Sequence, residues 1–420
     1  MATFSIEAVL ADLDDDGPRR VLADRLEAEG DPRGELITVE CELARLGYAS
    51  RPPSWDWIGD ALIDPESVDA SYVRKLRLRE NALLKQLAAQ IFAGLGDVTF
   101  ERGFPASLRF DARGADARGR FEALVAAAPT LQTLELTVGP SAEDAAHFFA
   151  SSAFACIREL RVGSQAIAGL VQSAELRSLR RLSTHGDVDV LDALLGWARL
   201  PHLARLELNP RPIGEEGLAA LLAACGPLDE LQLRGAAIGR EGAALLAREP
   251  KLQNLRVLAL LGNKLGDDGV ARLAGSPNLT RLRALDLRKN KVGVKGAAAL
   301  GAAFPELRTL DLTGNTLGRA GLEALCNAGG LGKLRELCLQ QTGLDGAALG
   351  SLAAAEFLGR VRVLSLRSNK LSDAGAALLA ASPHGANLEL INLNNNDLTE
   401  DGKRLLTASR ALPRARIVCK

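Results

Sequence analysis

The sequence predicts an α/β solenoid: a curved horseshoe with a parallel sheet inside and helices outside, preceded by a small all-α N-terminal domain. Three observations predict it. Nearly one residue in five of the 420 is leucine, while aromatics make up only 4%. The leucines are periodic: segments starting at Leu203, Leu228, Leu255, Leu282, Leu307, Leu334, Val361 and Leu388 read L-x-x-L-x-L or a close variant, 25 or 27 residues apart. Each is followed by a G-x-x-x-L stretch of helical spacing, with Ala348 for the glycine in one unit. Repetition at such a period marks stacked units and replaces the several-domain prior that length alone suggests.

The N-terminal residues 1–47 read as three helices. Ile6, Val9, Leu10 and Leu13 form one apolar face. Asp16-Gly17-Pro18 opens a second helix, with proline in its first turn, and Gly30 closes it. Asp31-Pro32-Arg33-Gly34 opens a third, carrying Leu36, Ile37, Val39, Leu43 and Leu46 and closed by Gly47. Residues 48–60 read as a loop within a junction spanning 48–106, and Arg79–Phe92 as a further helix with Leu83, Leu84, Leu87 and Ile91 on one side. The solenoid is expected over 107–420.

Its first strands keep the rhythm weakly, at Leu108-x-Phe110, Leu131-x-x-Leu134-x-Leu136, Ile157-x-x-Leu160-x-Val162 and Leu179-x-x-Leu182. Eight stricter units follow, whose second apolar residues are Leu206, Leu231, Leu258, Leu285, Leu310, Leu337, Leu364 and Ile391. Five residues on stands Asn263, Asn290, Asn315, Asn369 or Asn396 in five of the eight. Eleven on stands glycine, except at Ala348, and fifteen on stands leucine in all eight. Alternating L-x-L is a strand with one buried face. A lone strand and helix cannot bury their apolar sides, but stacked copies can. Strands pack about 4.8 Å apart and helices about 10 Å, so the stack curves with the sheet inside. The asparagine has a structural task, satisfying backbone groups where the strand turns outward. The glycine suits close approach of one helix start to the neighbouring turn. Ala415–Val418 reads as a closing strand. This makes about twelve strands and a cap.

These units resemble the leucine-rich repeat family, in particular its ribonuclease-inhibitor-like class with the unit L-x-x-L-x-L-x-x-N-x-L-G-x-x-G. LRVLALLGNKLGDDG, LRALDLRKNKVGVKG and LRTLDLTGNTLGRAG, within residues 255–332, carry the likeness. The stretch ADRLEAEGDPRGELITVECELARL is similar to a bacterial repeat-companion domain, departing from its pattern at Arg25 and in the Ile91–Phe92 region, where tryptophan is usual. QIFAGLGDVTFERGFPASLRF is similar to that family's junction into repeats. The resemblance implies a bacterial origin and a domain attached to repeat arrays, with no activity to transfer. For Asp24, Asp31, Arg33 and Glu35 the residues themselves favour ion pairing and capping over recognition.

Several functional classes lack their residues. Net charge is −1, although residues 1–50 hold 12 acids against 5 bases. The whole molecule is thus no glove for nucleic acid. No apolar run is long enough to span a membrane, the N-terminus does not read as a signal peptide, and a cytoplasmic protein is expected. The six cysteines form no C-x-x-C pair and read as free thiols, with Cys338 on an exposed strand position. Asp12-x-Asp14-x-Asp16-Gly17 imitates a calcium loop, but its twelfth position is Ala23 instead of a bidentate Glu. His147, His185, His202 and His384 show no metal-ligand spacing. No nucleophile elbow or phosphate loop occurs. No cofactor, no metal and no catalysis are expected.

The strand positions facing away from the helices predict the binding surface. One row runs Glu207, Gln232, Ala259, Asp286, Asp311, Cys338, Ser365, Asn392; the next runs Asn209, Arg234, Leu261, Arg288, Thr313, Gln340, Arg367, Asn394. This concave face reads as polar, mixed in charge and free of aromatics. Arginine is therefore its one strong hot-spot residue type. A second patch lies on the loop edge: Lys264, Arg288, Lys289, Lys291, Lys295 and Arg319. An acidic protein or a phosphate backbone suits it, and the absence of aromatics disfavours nucleic acid. The expectation is a non-enzymatic scaffold, monomeric by itself, that binds a protein partner through the concave face. A regulator of a small GTPase is the alternative, resting on fold analogy alone.

Overall fold

A computed structural model describes residue 9 and residues 16–45, 70–88, 97–101, 104–186, 189–209 and 212–419. The readings for Ile6, Leu10, Leu13, Leu46, Gly47, Ile91 and the loop 48–60 lie outside these residues. The described chain forms two compact units, meeting in sequence near Gly186.

The first unit begins with three helices, α1 (Asp16–Ala28), α2 (Pro32–Arg45) and α3 (Ala70–Ala88). The last starts nine residues before the expected Arg79. The turn between α1 and α2 explains its own sequence. Gly30 takes a left-handed φ of 73°, which glycine adopts without the Cβ penalty. Asp31 Oδ1 accepts the Arg33 amide at 2.9 Å, and its carboxylate holds the Arg33 guanidinium. That hydrogen-bonded guanidinium holds the Asp31 carboxyl below its ordinary range. A Cβ on Gly34 would stand 2.6 Å from the Ala23 carbonyl oxygen, so only glycine lets α2 cross α1 this closely. Glu35 pairs with Arg79 and ties α2 to α3, while Asp24 stands exposed. Leu36, Val39, Leu43 and Leu83 form one small core. Val9, Ala23, Ile37 and Cys41 form another, into which Phe104 packs.

Phe104 belongs to β2 (Phe104–Asp111), which pairs antiparallel with β1 (Asp97–Glu101). This hairpin joins the expected junction, residues 48–106, to the first strand of the parallel sheet. After β2 come α4 (Ala117–Ala127), β3 (Thr133–Val138), α5 (Ala142–Phe149), β4 (Glu159–Gly163), α6 (Ile167–Leu170) and β5 (Arg181–His185). Strands β2 to β5 are parallel and paired in chain order. Their helical side is filled by Phe110, Phe121, Phe148, Phe149 and Phe154, with neighbouring ring centroids 4.6–6.1 Å apart. Phenylalanine thus supplies here much of the volume that leucine supplies later, which is why the motif fades in this stretch.

The second unit holds α7 (Leu191–Leu195), β6 (Arg205–Leu208), α8 (Gly214–Ala224), β7 (Glu230–Leu233), α9 (Gly239–Arg248), β8 (Val257–Ala259), α10 (Gly266–Ala274) and β9 (Ala284–Asp286). It continues with α11 (Val294–Ala302), β10 (Thr309–Asp311), α12 (Gly318–Asn327), β11 (Glu336–Cys338) and α13 (Leu349–Ala354). It ends with β12 (Val363–Ser365), α14 (Asp373–Ala380), β13 (Leu390–Asn392), α15 (Glu400–Thr407) and β14 (Arg416–Val418). Each strand from β6 to β14 pairs in parallel with the next, the leucines in register: Leu206 faces Leu231, then Leu258, Leu285, Leu310, Leu337, Leu364, Ile391 and Ile417. Those from Leu206 to Ile391 are buried. Each contributes roughly 1.5–3 kcal/mol relative to exposure. This is an α/β solenoid, and β14 is the expected closing strand.

Each asparagine of the ladder bonds its own turn to the preceding unit. Asn315 Nδ2 donates to the carbonyls of Leu287 (2.9 Å) and Leu312 (2.7 Å), and its Oδ1 accepts the amides of Asn290 and Val292, both at 2.9 Å. Asn290 repeats the pattern on the unit before it, and Asn369 on the turn at Thr342 and Leu344. Where the ladder has Thr342 instead, its hydroxyl reaches one carbonyl, that of Leu339 at 2.7 Å. The helix glycines behave as expected: a Cβ on Gly375 would stand 2.8 Å from Gly346 Cα, and one on Gly269 3.2 Å from Arg240 Cα. Among the described residues no helix is long and apolar enough to cross a membrane.

Candidate functional site

On the face of β6 to β13 opposite the helices, the first predicted row is continuous. Glu207, Gln232, Ala259, Asp286, Asp311, Cys338, Ser365 and Asn392 are successive pairing partners. The row lies deeper than its sequence pattern suggests. Glu207, Gln232, Ala259, Asp286, Asp311 and Ser365 are buried, and only Cys338 and Asn392 are half-buried. The reason is the narrow strand spacing, together with the longer side chains of the second row lying against it. In that second row Asn209 and Arg367 are exposed, while Arg234, Leu261, Arg288, Thr313, Gln340 and Asn394 are half-buried.

Three first-row residues also do structural work where their strands end. Asp286 accepts the Arg288 amide, Asp311 the Thr313 amide, both at 2.9 Å, and Asn392 the Asn394 amide at 3.1 Å. Such side-chain to backbone closure is what Asp and Asn provide at turns.

The charged groups form two clusters. In the first, Arg234 lies 3.4 Å from Glu207 and donates to Gln232 Oε1 at 3.3 Å, and Gln232 in turn donates to Glu230. In the second, Arg288 makes a forked pair with Asp286 (Nε to Oδ1 2.9 Å, Nη2 to Oδ2 2.6 Å) and lies 3.6 Å from Asp311. Burial works to lower the Arg288 pKa, but the Asp286 hydrogen bonds and the charges of Asp286 and Asp311 outweigh it and hold the guanidinium above its ordinary value. Asp311 has the poorer position. Burial pushes its carboxyl up to about 6, Asp286 adds to the rise, and the Thr313 hydrogen bonds and Arg288 charge offset only part of it. On the next strand, burial and the Asp311 charge push the Cys338 thiol far up, which disfavours its thiolate. Burial likewise raises Cys225 and Cys326 to about 12.

Sequence reasoning missed a third row. The residue before each central leucine shares the face of the residue after it, because side chains alternate with period two. This row includes Glu230, Val257, Ala284, Thr309, Glu336 and Val363. It adds Val257, Ala284 and Val363 to the apolar Ala259 and Leu261 of the first two rows. On β8 all three rows are apolar, at Val257, Ala259 and Leu261, the first two buried and Leu261 half-buried, so a narrow aliphatic strip separates the Arg234 cluster from the Arg288 cluster. The alternation itself was signal enough to find it.

The loop edge also departs from expectation at one residue. Arg288 is committed to Asp286 and Asp311 and drops out of the basic patch. Lys264, Lys289, Lys291, Lys295 and Arg319 are exposed. Arg335, after the first leucine of its unit, donates to the Arg360 carbonyl of the following unit, at 3.3 Å.

A match to one family model agrees with the repeat pattern. The family described as Leucine Rich repeat matches residues 251–274, 278–301, 306–326 and 361–380. The skipped unit is the one with Thr342 for asparagine and Ala348 for glycine. No curated protein matches in sequence. Among solved structures, the chain is similar to the yeast Rad7 and Elc1 complex (15% identity, 84% of this chain and 98% of that one, TM-score 0.44). It is also similar to an internalin from Listeria monocytogenes (17% identity, 79% and 94%, TM-score 0.39). A Bacteroides fragilis protein gives 15% identity over 59% of this chain and 75% of that one, with TM-score 0.38.

Proposed function

The chain is a leucine-rich repeat protein, and from that premise we propose that it is a non-enzymatic scaffold that binds a protein partner on the open, concave face of its repeats. One observation carries the reading: charged side chains fixed on paired strands flank an apolar strip. Arg288 keeps a quarter of its side chain exposed while both ends of its fork are held by Asp286. A guanidinium immobilised before binding loses little entropy on binding. Arginine beside desolvated aliphatic surface is a common composition of interface hot spots. Arg367, Gln340 and Asn394 extend the surface across β11 to β13. The repeats belong to the ribonuclease-inhibitor-like class in this reading. Residues 1–47 act as a repeat-companion domain and 48–106 as the junction to a solenoid over 107–420. The Phe104 contact with the helical core supports that role. The Asp31–Arg33 and Glu35–Arg79 pairs support a structural task for the helical domain.

The test is capture of the partner from the native cell, comparing the full chain with Arg367→Glu and Gln340→Ala. Neither side chain forms part of the Asp286–Arg288 cluster, so folding is preserved. Specific recovery lost in these variants supports the concave face; undiminished recovery assigns binding elsewhere.

A further inference from the structure

The loop edge of the repeats around α9 to α12 carries charge that the chain itself does not use. Lys251, Lys333 and Lys403 each have an internal partner: three carbonyls, Glu306 and Glu400 respectively. Lys264, Lys289, Lys291, Lys295 and Arg319 have none, and all are exposed. Two nearby acids are already engaged. Asp267 Oδ1 accepts the Gly293 amide at 2.6 Å, and Glu241 pairs with Arg240 at 3.0 Å. Asp268 on α10 and Glu323 on α12, four residues after Arg319, stand exposed near the cations.

The backbone points the same way. Four residues after the central residue of the seven units from Leu231 to Ile391 the chain turns through a left-handed φ; that residue is glycine in three, Gly235, Gly262 and Gly314, and Lys289, Gln341, Ser368 or Asn395 in the others. Between Gly262 and Gly314 the position is held by Lys289, at φ 54°. Its Cγ lies where a Cβ on Gly314 would be only 3.0 Å away, so the lysine side chain runs along the next loop. Lys264 and Lys291 are left-handed too, at 57° and 60°. A β-carbon in this region is unfavourable; the two adjacent units place glycine where Lys289 stands, while later units place Gln341, Ser368 and Asn395 there. The amino ends of α9, α10, α11 and α12 open on this edge with no cap from their own N-cap side chains, the carboxylate of Asp267 taking the Gly293 amide at the start of α11 and Glu241, Asp267 and Asp268 standing in the first turns of α9 and α10. Their dipoles add positive potential.

From this arrangement we infer that the loop edge is a second binding surface, separate from the concave face, and that it takes an extended acidic polypeptide segment. The cations come from successive loops and so form a line, with strands about 4.8 Å apart. Where Lys291 and Lys295 do share one depression with Arg240, Asp267 and Asp268 line it too, which disfavours a single phosphate there. No aromatic residue occurs in these loops for bases to stack on. The exposed Val294, between Lys291 and Lys295, offers an aliphatic contact that a peptide side chain satisfies and a phosphate backbone does not.

Fluorescence anisotropy on the full chain tests the inference, with a labelled polyglutamate peptide carrying interspersed leucines and an oligothymidylate of equal charge as probes. The peptide is expected to bind at low salt, more tightly than the oligonucleotide. Lys289→Glu with Lys291→Glu and Lys295→Glu should weaken it by more than roughly tenfold, and Arg367→Glu should leave it unchanged. Lys289→Gly guards against misfolding, because it should weaken binding while raising the urea midpoint. Absence of peptide binding, binding indifferent to the lysine changes, or preference for the oligonucleotide would each overturn the assignment.

Discussion

Asp286 and Asp311 stand side by side on β9 and β10, and one guanidinium serves both. The two carboxylates therefore differ in what they contribute. Asp286 is fully buried against Arg288, so Arg288→Ala leaves a buried charge without its partner. A loss of about 3–5 kcal/mol is expected in urea unfolding. Asp311 has its pKa raised from 3.8 to about 6. Between those values the folded chain holds a proton that the unfolded chain has released, so its contribution falls as pH rises through this window. Asp311→Asn should accordingly stabilise the protein by about 1–3 kcal/mol at pH 7. The gain should vanish below the unfolded pKa, and paired denaturation curves at several pH values would show it. Asn315→Ala removes four hydrogen bonds from a buried turn. It should cost about 2–4 kcal/mol, since it leaves backbone groups unsatisfied. The asparagine's role was legible in the sequence because no other residue type recurs at that offset. The Arg288 fork was not, because the same arginine also fits a basic patch on the loop edge.

At the scale of elements, boundaries followed from capping residues and glycine. Asp16-Gly17-Pro18 opens α1, and Gly30 ends the turn after it. Gly34 shows the limit of that kind of reading. Its place in the third helix is visible in sequence, but the need for glycine arises from the Ala23 carbonyl of another helix. Gly34→Ala should destabilise the α1–α2 crossing by about 1–3 kcal/mol, seen as faster amide exchange in both helices than in β9 or β10. Strand β1 escaped notice because DVTFE has no leucine and pairs antiparallel, outside the repeat. The phenylalanine cluster blurred the next units for a related reason: its side chains fill the same core without keeping the leucine rhythm. The missed row on the sheet had no such excuse of chemistry, since period-two alternation places Glu230 beside Gln232.

For the molecule as a whole, the shortage of aromatics predicts a polar binding face, and the structure refines that prediction. Polar clusters at Arg234 and Arg288 flank the apolar strip of β8, and unpaired lysines gather on the loop edge. Two surfaces of different chemistry on one array suit a scaffold. The most direct test of the central proposal uses a photo-crosslinking amino acid placed at Thr313 or Gln340 on the open face of the sheet, and at Ala299 on the helical side, in the cell of origin. The account predicts a discrete protein adduct from the first two positions and none from Ala299. Adducts from Ala299 alone would contradict it.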